Sequence, residues 1–171
     1  MSEEVISILA VAGRMALLSD ADIKRWISDG KLRIEPFNER NLTPNGYDLT
    51  IEEVMVPGQG TQPNQKVPPL KRFVVSTKER VELNGPLAAQ LWIRTTWARR
   101  GVLASFGRID AGFRGTLTLA AFNSSDEALE VKAGETFAQV VFEPTAAAVE
   151  KTYGERSGHY QDQKGVTLAR H

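Results

Sequence analysis

Two short stretches concentrate the residues able to do chemistry. In the first, Leu91, Trp92 and Ile93 end an apolar run, and Arg94, Thr95 and Thr96 then set a guanidinium beside two hydroxyls. Ala98 to Arg100 suit a single helical turn, which Gly101 can close with positive φ. An Arg and two hydroxyl residues entering a helical turn make an anion cradle. The guanidinium binds phosphate through two parallel hydrogen bonds, and the hydroxyls and backbone N–H groups add donors. The same residues would equally serve a strand end with an ordinary Thr-capped turn, and the local sequence leaves both readings open.

The second stretch is Gly107 to Gly115, in which three glycines fall within nine residues. Flanked by the β-rich runs Val102 to Phe106 and Thr116 to Ala120, it predicts a sharp hairpin with backbone open to a ligand. Alternation turns Ile109 inward, so the Asp110 carboxylate sits at a strand end beside the turn. An Asp that only fixes its own turn is the plain alternative.

The elements around these stretches are mostly strands. Ser19 to Gly30 reads as a helix, with Ser19 as cap, Asp22 as its capping-box partner, and Ile23, Trp26 and Ile27 on one apolar face. Trp26 is expected in the core. Lys31 to Phe37 is extended, and the Thr43-Pro44-Asn45-Gly46 turn leads into a strand that carries Asp48 on its polar alternation. Pro57 to Pro69 lacks periodicity and reads as a loop. Phe73 to Val75, Arg80 to Leu83, Ala88 to Ile93, Ala128 to Val131 and Thr136 to Phe142 read as short strands. Many short strands with one early helix predict a mostly β fold, a distorted jelly-roll sandwich or barrel. The expected division is an extension over residues 1–14, a β domain over 15–150, and a polar tail over 151–171. Met15 would serve as an alternative start.

Composition excludes several classes. Lys plus Arg and Asp plus Glu both number 21, which gives no electrostatic footprint for nucleic acid or membrane. No cysteine and two histidines, His159 and His171, argue against thiolate catalysis and against a zinc-dependent deaminase. No apolar run reaches transmembrane length, and the acidic opening is unlike a signal peptide, so a cytoplasmic protein is expected.

The sequence IRTTWARRG followed by GRIDAGFRG resembles the dUTPase and dCTP deaminase superfamily, most of all the archaeal dUTP diphosphatases. The resemblance runs over about residues 16–170 and includes Asn45-Gly46-Tyr47-Asp48-Leu49, Gly134 to Gln139, and the deaminase-like tail Tyr160 to Gly165. It implies a dUTPase-like β fold and a homotrimer with sites between subunits. By the same resemblance Asp110 orients or deprotonates water, and Arg94, Thr95, Thr96, Arg99 and Gln139 bind phosphates. Asp48 lies near a triphosphate-bound Mg²⁺ through water. Phe113 packs on deoxyribose, while Ala104, Ser105, Phe106 and Gly107 read the base through their backbone. Tyr153, His159, Tyr160, Gln163 and Lys164 belong to a tail that covers the nucleotide. His159 stands where the deaminase branch usually has Lys, so that phosphate contact does not carry over directly.

Two reactions share such a scaffold. Hydrolysis of dUTP to dUMP and pyrophosphate needs positioning, charge neutralisation and one water-orienting carboxylate. Deamination of dCTP needs a group that deprotonates water and protonates departing ammonia. The deaminase branch supplies a Glu in a pattern like LEF, whereas this chain reads Leu119-Ala120-Ala121-Phe122. Loss of a general acid–base group commonly costs ~10²–10⁴-fold. The expectation is therefore a dUTP diphosphatase. A dCTP deaminase, a bifunctional enzyme, and a non-catalytic nucleotide-binding β-sandwich stand as alternatives.

Overall fold

A computed structural model describes residues 16–169. The expected extension over 1–14, and Met15, lie outside the described residues. Helix α1 (Asp20–Ser28) begins as the sequence predicts, with Ser19 and Asp22 closing a reciprocal capping box. Ile23 is fully buried, but Trp26 packs half-buried at the edge of the core, with the Lys31 ammonium 5.5 Å from its ring centre. A helix on the rim of a sheet buries one narrow stripe, and Ile23 already fills it.

The remainder is antiparallel sheet. The strands are β1 (Leu32–Glu35), β2 (Leu42–Thr43), β3 (Gly46–Val56), β4 (Gly60–Gln62), β5 (Asn64–Val67), β6 (Lys71–Thr77) and β7 (Arg80–Leu83). They continue as β8 (Leu87–Ile93), β9 (Val102–Leu103), β10 (Arg108–Ile109), β11 (Arg114–Gly115), β12 (Thr118–Asn123), β13 (Leu129–Lys132) and β14 (Thr136–Pro144). Short helices α2 (Thr95–Arg99) and α3 (Tyr153–Arg156) follow β8 and open the tail. The large curled sheet runs β10-β8-β14-β3-β6-β12-β9, with β2 and β4 hydrogen-bonded to β3. Smaller sheets are β1-β7-β11 and β13-β5.

Strand β3 makes the curl. Its first half pairs with β14, its second half with β6, and the register to β6 shifts between Ile51 and Glu53. Such a bulge bends the strand and raises its twist. The enclosed core includes Tyr47, Leu49, Phe73, Phe137 and Phe142, all at or below 1 % exposed. Burying a side chain of that size contributes roughly 1.5–3 kcal/mol. Trp97 of α2 caps the core, its ring 5.3 Å from Phe137 and its indole N–H donating to the Thr136 carbonyl at 2.9 Å.

Two expectations are corrected. The stretch Pro57 to Pro69 is not a loop but holds β4 and β5, which add to β3 and β13. The buried Gln65 side chain supplies what its sequence hides, its amide donating to the carbonyls of Val54 and Gly60. Gly107 to Gly115 is not a simple hairpin either. Its strands diverge, β10 onto β8 and β11 onto β7, because β8 and β7 each offer an edge. Val102 and Leu103 pair with the far end of β12 rather than with its start.

Candidate active site

One group of candidate residues collects at the Ile93 end of β8. Trp92, Gln139 and Asp48 lie opposite one another on β8, β14 and β3. Arg94 leaves β8 and precedes α2; its Nε donates to Asp48 Oδ2 at 2.9 Å, and a terminal nitrogen donates to the Thr136 hydroxyl. Gln139 donates to the Thr43 hydroxyl at 3.0 Å. Asp48 is 8 % exposed, contrary to its expected place on a polar strand face. Burial raises its carboxyl above the ordinary 3.8, and the Arg94 charge and the Gln139 amide oppose that rise. Thr95 and Thr96 form the exposed first turn of α2, and Gly101 closes it at φ 81°. Arg99 borders a separate shallow recess with Arg100 and the loop Ser125 to Glu130. The structure thus gathers Arg94, Asp48 and Gln139, keeps Thr95 and Thr96 adjacent in the chain, and sets Arg99 apart.

A second group collects at the other end of β8. Ile109 pairs with Ala89 and turns into the core at 3 % exposure, as alternation requires. Asp110 opens a turn that the Phe113 N–H closes on the Asp110 carbonyl at 3.1 Å, a first position that Asp favours. Its side chain is exposed and borders a recess of about 400 Å³, within the ordinary range for small-ligand sites. Ser105, Phe106, Gly107, Phe113 and Ala120 line that recess, together with Tyr153, Tyr160 and Gln163 from the tail. Asp110 is the one acid among the described lining residues. Phe113 is both core and wall: it is 6 % exposed and meets Tyr153 edge-on at 5.6 Å. Ala104 lies just outside, in an adjoining apolar hollow with Leu103 and Phe122.

The described tail, to residue 169, packs onto the β domain. Tyr153 N–H donates to the Ala111 carbonyl at 2.8 Å, the Gln161 amide to Gly112 at 3.0 Å, and the buried Gln163 amide to Thr116 at 2.7 Å. Asp162 pairs with Arg114 and Arg80, each at 2.8 Å. Gly112 allows this close fit: it holds φ 86°, and a Cβ there would lie 2.5 Å from Cβ of Thr152. His159 and Lys164 are exposed and do not border the recess.

The two groups are far apart within one chain. Asp110 follows Ile109 to the level of Ala88, and Arg94 lies six residues beyond Ala88 along an extended strand, about 20 Å. No hydrogen-bonding side chain spans such a gap.

Comparison with known proteins identifies the family. The dCTP deaminase-like family model matches residues 61–145. The chain is 37 % identical over 159 residues to the probable deoxyuridine 5′-triphosphate nucleotidohydrolase of Sulfolobus islandicus rod-shaped virus 1, covering 90 % of this chain and 98 % of that protein. The chain belongs to the dCTP deaminase and dUTP nucleotidohydrolase family. Another member, the dCTP deaminase of Pyrococcus horikoshii, is 37 % identical over 150 residues, with 85 % of this chain and 94 % of that protein covered. Among solved structures, the dCTP deaminase of Agrobacterium tumefaciens superposes with a TM-score of 0.65 at 17 % identity, over 76 % of this chain and 49 % of that chain. The dUTPase of the S. aureus phage phi11 superposes at 0.51 and 18 % identity, over 70 % and 94 %. At those identities the likeness concerns the curled antiparallel fold. The family's members carry the names of two enzymes, so family membership makes this chain's kin enzymes of deoxynucleoside triphosphates without separating the two reactions.

Two residues that motif reading does not single out stand near these groups. Glu79 is 2 % exposed, and its carboxylate accepts from the Thr50 N–H at 2.7 Å. Its neighbours Lys78 and Arg80 make the stretch look like solvated surface, so nothing local marks it. Arg72 is exposed on β6, opposite Phe122, and borders both the recess and the adjoining hollow. In β6 only its first two residues, Lys71 and Arg72, are exposed, so no alternation marks Arg72 in the sequence.

Proposed function

We propose that this protein hydrolyses dUTP to dUMP and pyrophosphate. The observation that carries the reading is the makeup of the recess: one carboxylate, Asp110, and Ala120 where a proton-shuttling glutamate would stand in a deaminase. In this reading Asp110 orients a water towards the α-phosphorus. The new bond joins the water oxygen to the α-phosphorus, and the bond to the bridging oxygen towards the β-phosphorus breaks. Pyrophosphate leaves with that electron pair, and the water proton passes through Asp110 to solvent. Chemistry of this kind is mostly positioning and charge neutralisation, which one carboxylate and a set of cationic and hydroxyl donors can meet.

Arg94, Thr95, Thr96 and Gln139 hold the phosphates, whereas Arg99 borders a separate recess in this chain. The separation of about 20 Å between Asp110 and Arg94 supports a site made by two copies of the chain, each giving one end of β8. By the family resemblance, that arrangement would be a homotrimer with sites between subunits. Phe113 backs the deoxyribose, the backbone from Ala104 to Gly107 faces the base, and Tyr153, Tyr160 and Gln163 cover it. Lys164 and His159 lie on the outer side of the tail.

Magnesium fits the donor set in one mode. Among the described residues no cluster of three or more His, Cys, Asp or Glu could cage a metal. Mg²⁺ nevertheless binds readily through phosphates, waters and one or two carboxylates. Asp48, ion-paired with Arg94, is the carboxylate that would hold it through water. Bound there, the ion would neutralise charge on the phosphates.

Deamination of dCTP is the second reading, favoured by relatives such as the P. horikoshii enzyme that bear the dCTP deaminase name. Ala120 opposes it. One experiment separates the readings: incubate the protein with dUTP and, separately, with dCTP in the presence of Mg²⁺, and resolve products by ion exchange. The expected outcome is dUMP and pyrophosphate from dUTP, with dCTP unchanged. Conversion of dCTP to dUTP overturns the assignment, and dUMP formed from dCTP indicates a bifunctional enzyme. Recovery of both substrates unchanged indicates a nucleotide-binding β-sandwich without turnover.

A further inference from the structure

We propose that Arg72 reads the nucleobase and selects uracil over cytosine, an inference that rests on the recess being the base site of the reaction above. Most polar groups lining the recess are already engaged. Arg108 pairs with Glu143 at 3.0 Å, the Gln163 amide donates to Thr116, and the Thr118 hydroxyl joins Gly165 and Thr167 of the tail. The Tyr153 hydroxyl accepts from the Tyr160 N–H at 3.0 Å. Arg72 is the exception among the cations there: it has no ion pair or side-chain hydrogen bond among the described residues.

Strand pairing fixes its neighbours. Arg72 stands opposite Phe122, and Val74 opposite Ala120, so Arg72 and Ala120 are diagonal neighbours on one face of the β6–β12 ladder. A glutamate at position 120 would be close enough to pair with this guanidinium, occupying two of its donors and neutralising its charge. With alanine there, the guanidinium keeps its donors available where it borders both the recess and the adjoining apolar hollow of Leu103 and Phe122.

The chemistry gives the direction of selection. A guanidinium has five N–H donors and no acceptor. At the 4-position uracil presents a carbonyl acceptor, as thymine does, whereas cytosine presents an amino donor. Arg72 can therefore donate to uracil but meets cytosine donor to donor, beside a positive charge. One substitution, Glu to Ala at the diagonal position, thus removes the deaminating group and frees the group that rejects the deaminase's substrate.

The test uses the full chain and two non-hydrolysable probes, the α,β-imido analogues of dUTP and dCTP, with binding measured by calorimetry. The wild type is expected to prefer the uracil analogue. Arg72→Ala is expected to lower that preference about tenfold or more, chiefly by weakening the uracil analogue. Arg72→Lys should keep part of it, and Arg72→Gln, whose amide can both donate and accept, should bring the two probes close together. Equal weakening of both analogues by Arg72→Ala overturns the proposal, because it would place Arg72 against the phosphates. An unchanged ratio also overturns it. Turnover is measured alongside: if dUTP is not hydrolysed yet the preference depends on Arg72, the hydrolase reading fails while base selection by Arg72 stands.

Discussion

The two ends of β8 are built on different principles. At the Ile93 end, Asp48, Gln139 and Trp92 sit on adjacent strands in continuous register, and Arg94 is locked between a buried carboxylate and a threonine hydroxyl. At the Ala88 end, Asp110 stands on a turn with an exposed carboxylate, and its surroundings come from a tail more than forty residues downstream. The first end is preorganised by sheet geometry, which suits its proposed phosphate-binding role. The second is assembled by loops, the setting that commonly carries binding and catalytic residues, and suits the proposed water-orienting role of Asp110. A site that draws on both ends from different copies gains a rigid half and an adaptable half.

The comparison breaks most sharply at Asp110. Asp110→Asn is expected to lower kcat for dUTP by ~10²–10⁴-fold while the imido analogue still binds; steady-state kinetics with calorimetry checks this, and full turnover would remove Asp110 from the chemistry. Arg94→Ala is expected to be inactive for the opposite reason, lost phosphate binding. Mixing the two inactive variants after co-refolding should then restore about a quarter of the sites, because a cyclic assembly pairs the intact halves of different subunits. No recovery in the mixed assembly would mean that both halves act within one chain.

A smaller effect sharpens the adaptable half. Gln163→Ala leaves the Thr116 carbonyl without its 2.7 Å donor, a loss of about 1 kcal/mol. It is expected to raise KM more than it lowers kcat and to speed proteolysis within the tail, followed by limited digestion. The smallest effect concerns Glu79. Burial raises its carboxyl above the ordinary 4.5, while the Thr50 N–H opposes the rise. The folded chain then holds this proton more tightly than the unfolded chain does. The stability this gives is fully present below pH 4.5 and is lost as pH climbs through the raised folded value. Glu79→Gln, which keeps an acceptor for Thr50, should flatten the pH dependence of urea unfolding over that window.

Much of this arrangement is legible in the sequence. The Ser19–Asp22 capping box, the helical turn closed by Gly101 and the inward Ile109 follow from local rules, and all three are present. The strands hidden in Pro57 to Pro69 are not legible, because their hydrogen-bond partners on β3 and β13 and the Gln65 amide lie outside that window. The divergence of β10 and β11 is equally non-local, since it depends on where β8 and β7 leave free edges. Motif reading finds Asp48 but not its burial, which comes from β14 and Arg94 closing over it. Glu79 and Arg72 lie outside every motif, and their meaning comes from cross-strand neighbours.

Strand β8 is also a spacer. It pairs with β14 through seven consecutive residues, from Ile93 to Leu87, without a bulge. An insertion of one residue would turn every following side chain to the opposite face. An insertion of two would restore the faces but push the cradle and the acid about 7 Å farther apart. In the proposed ring, every copy would have to shift to compensate. In the proposed assembly, variation can therefore accumulate in the turns and the tail, whereas the length of this strand is the gauge that would set how neighbouring subunits mesh.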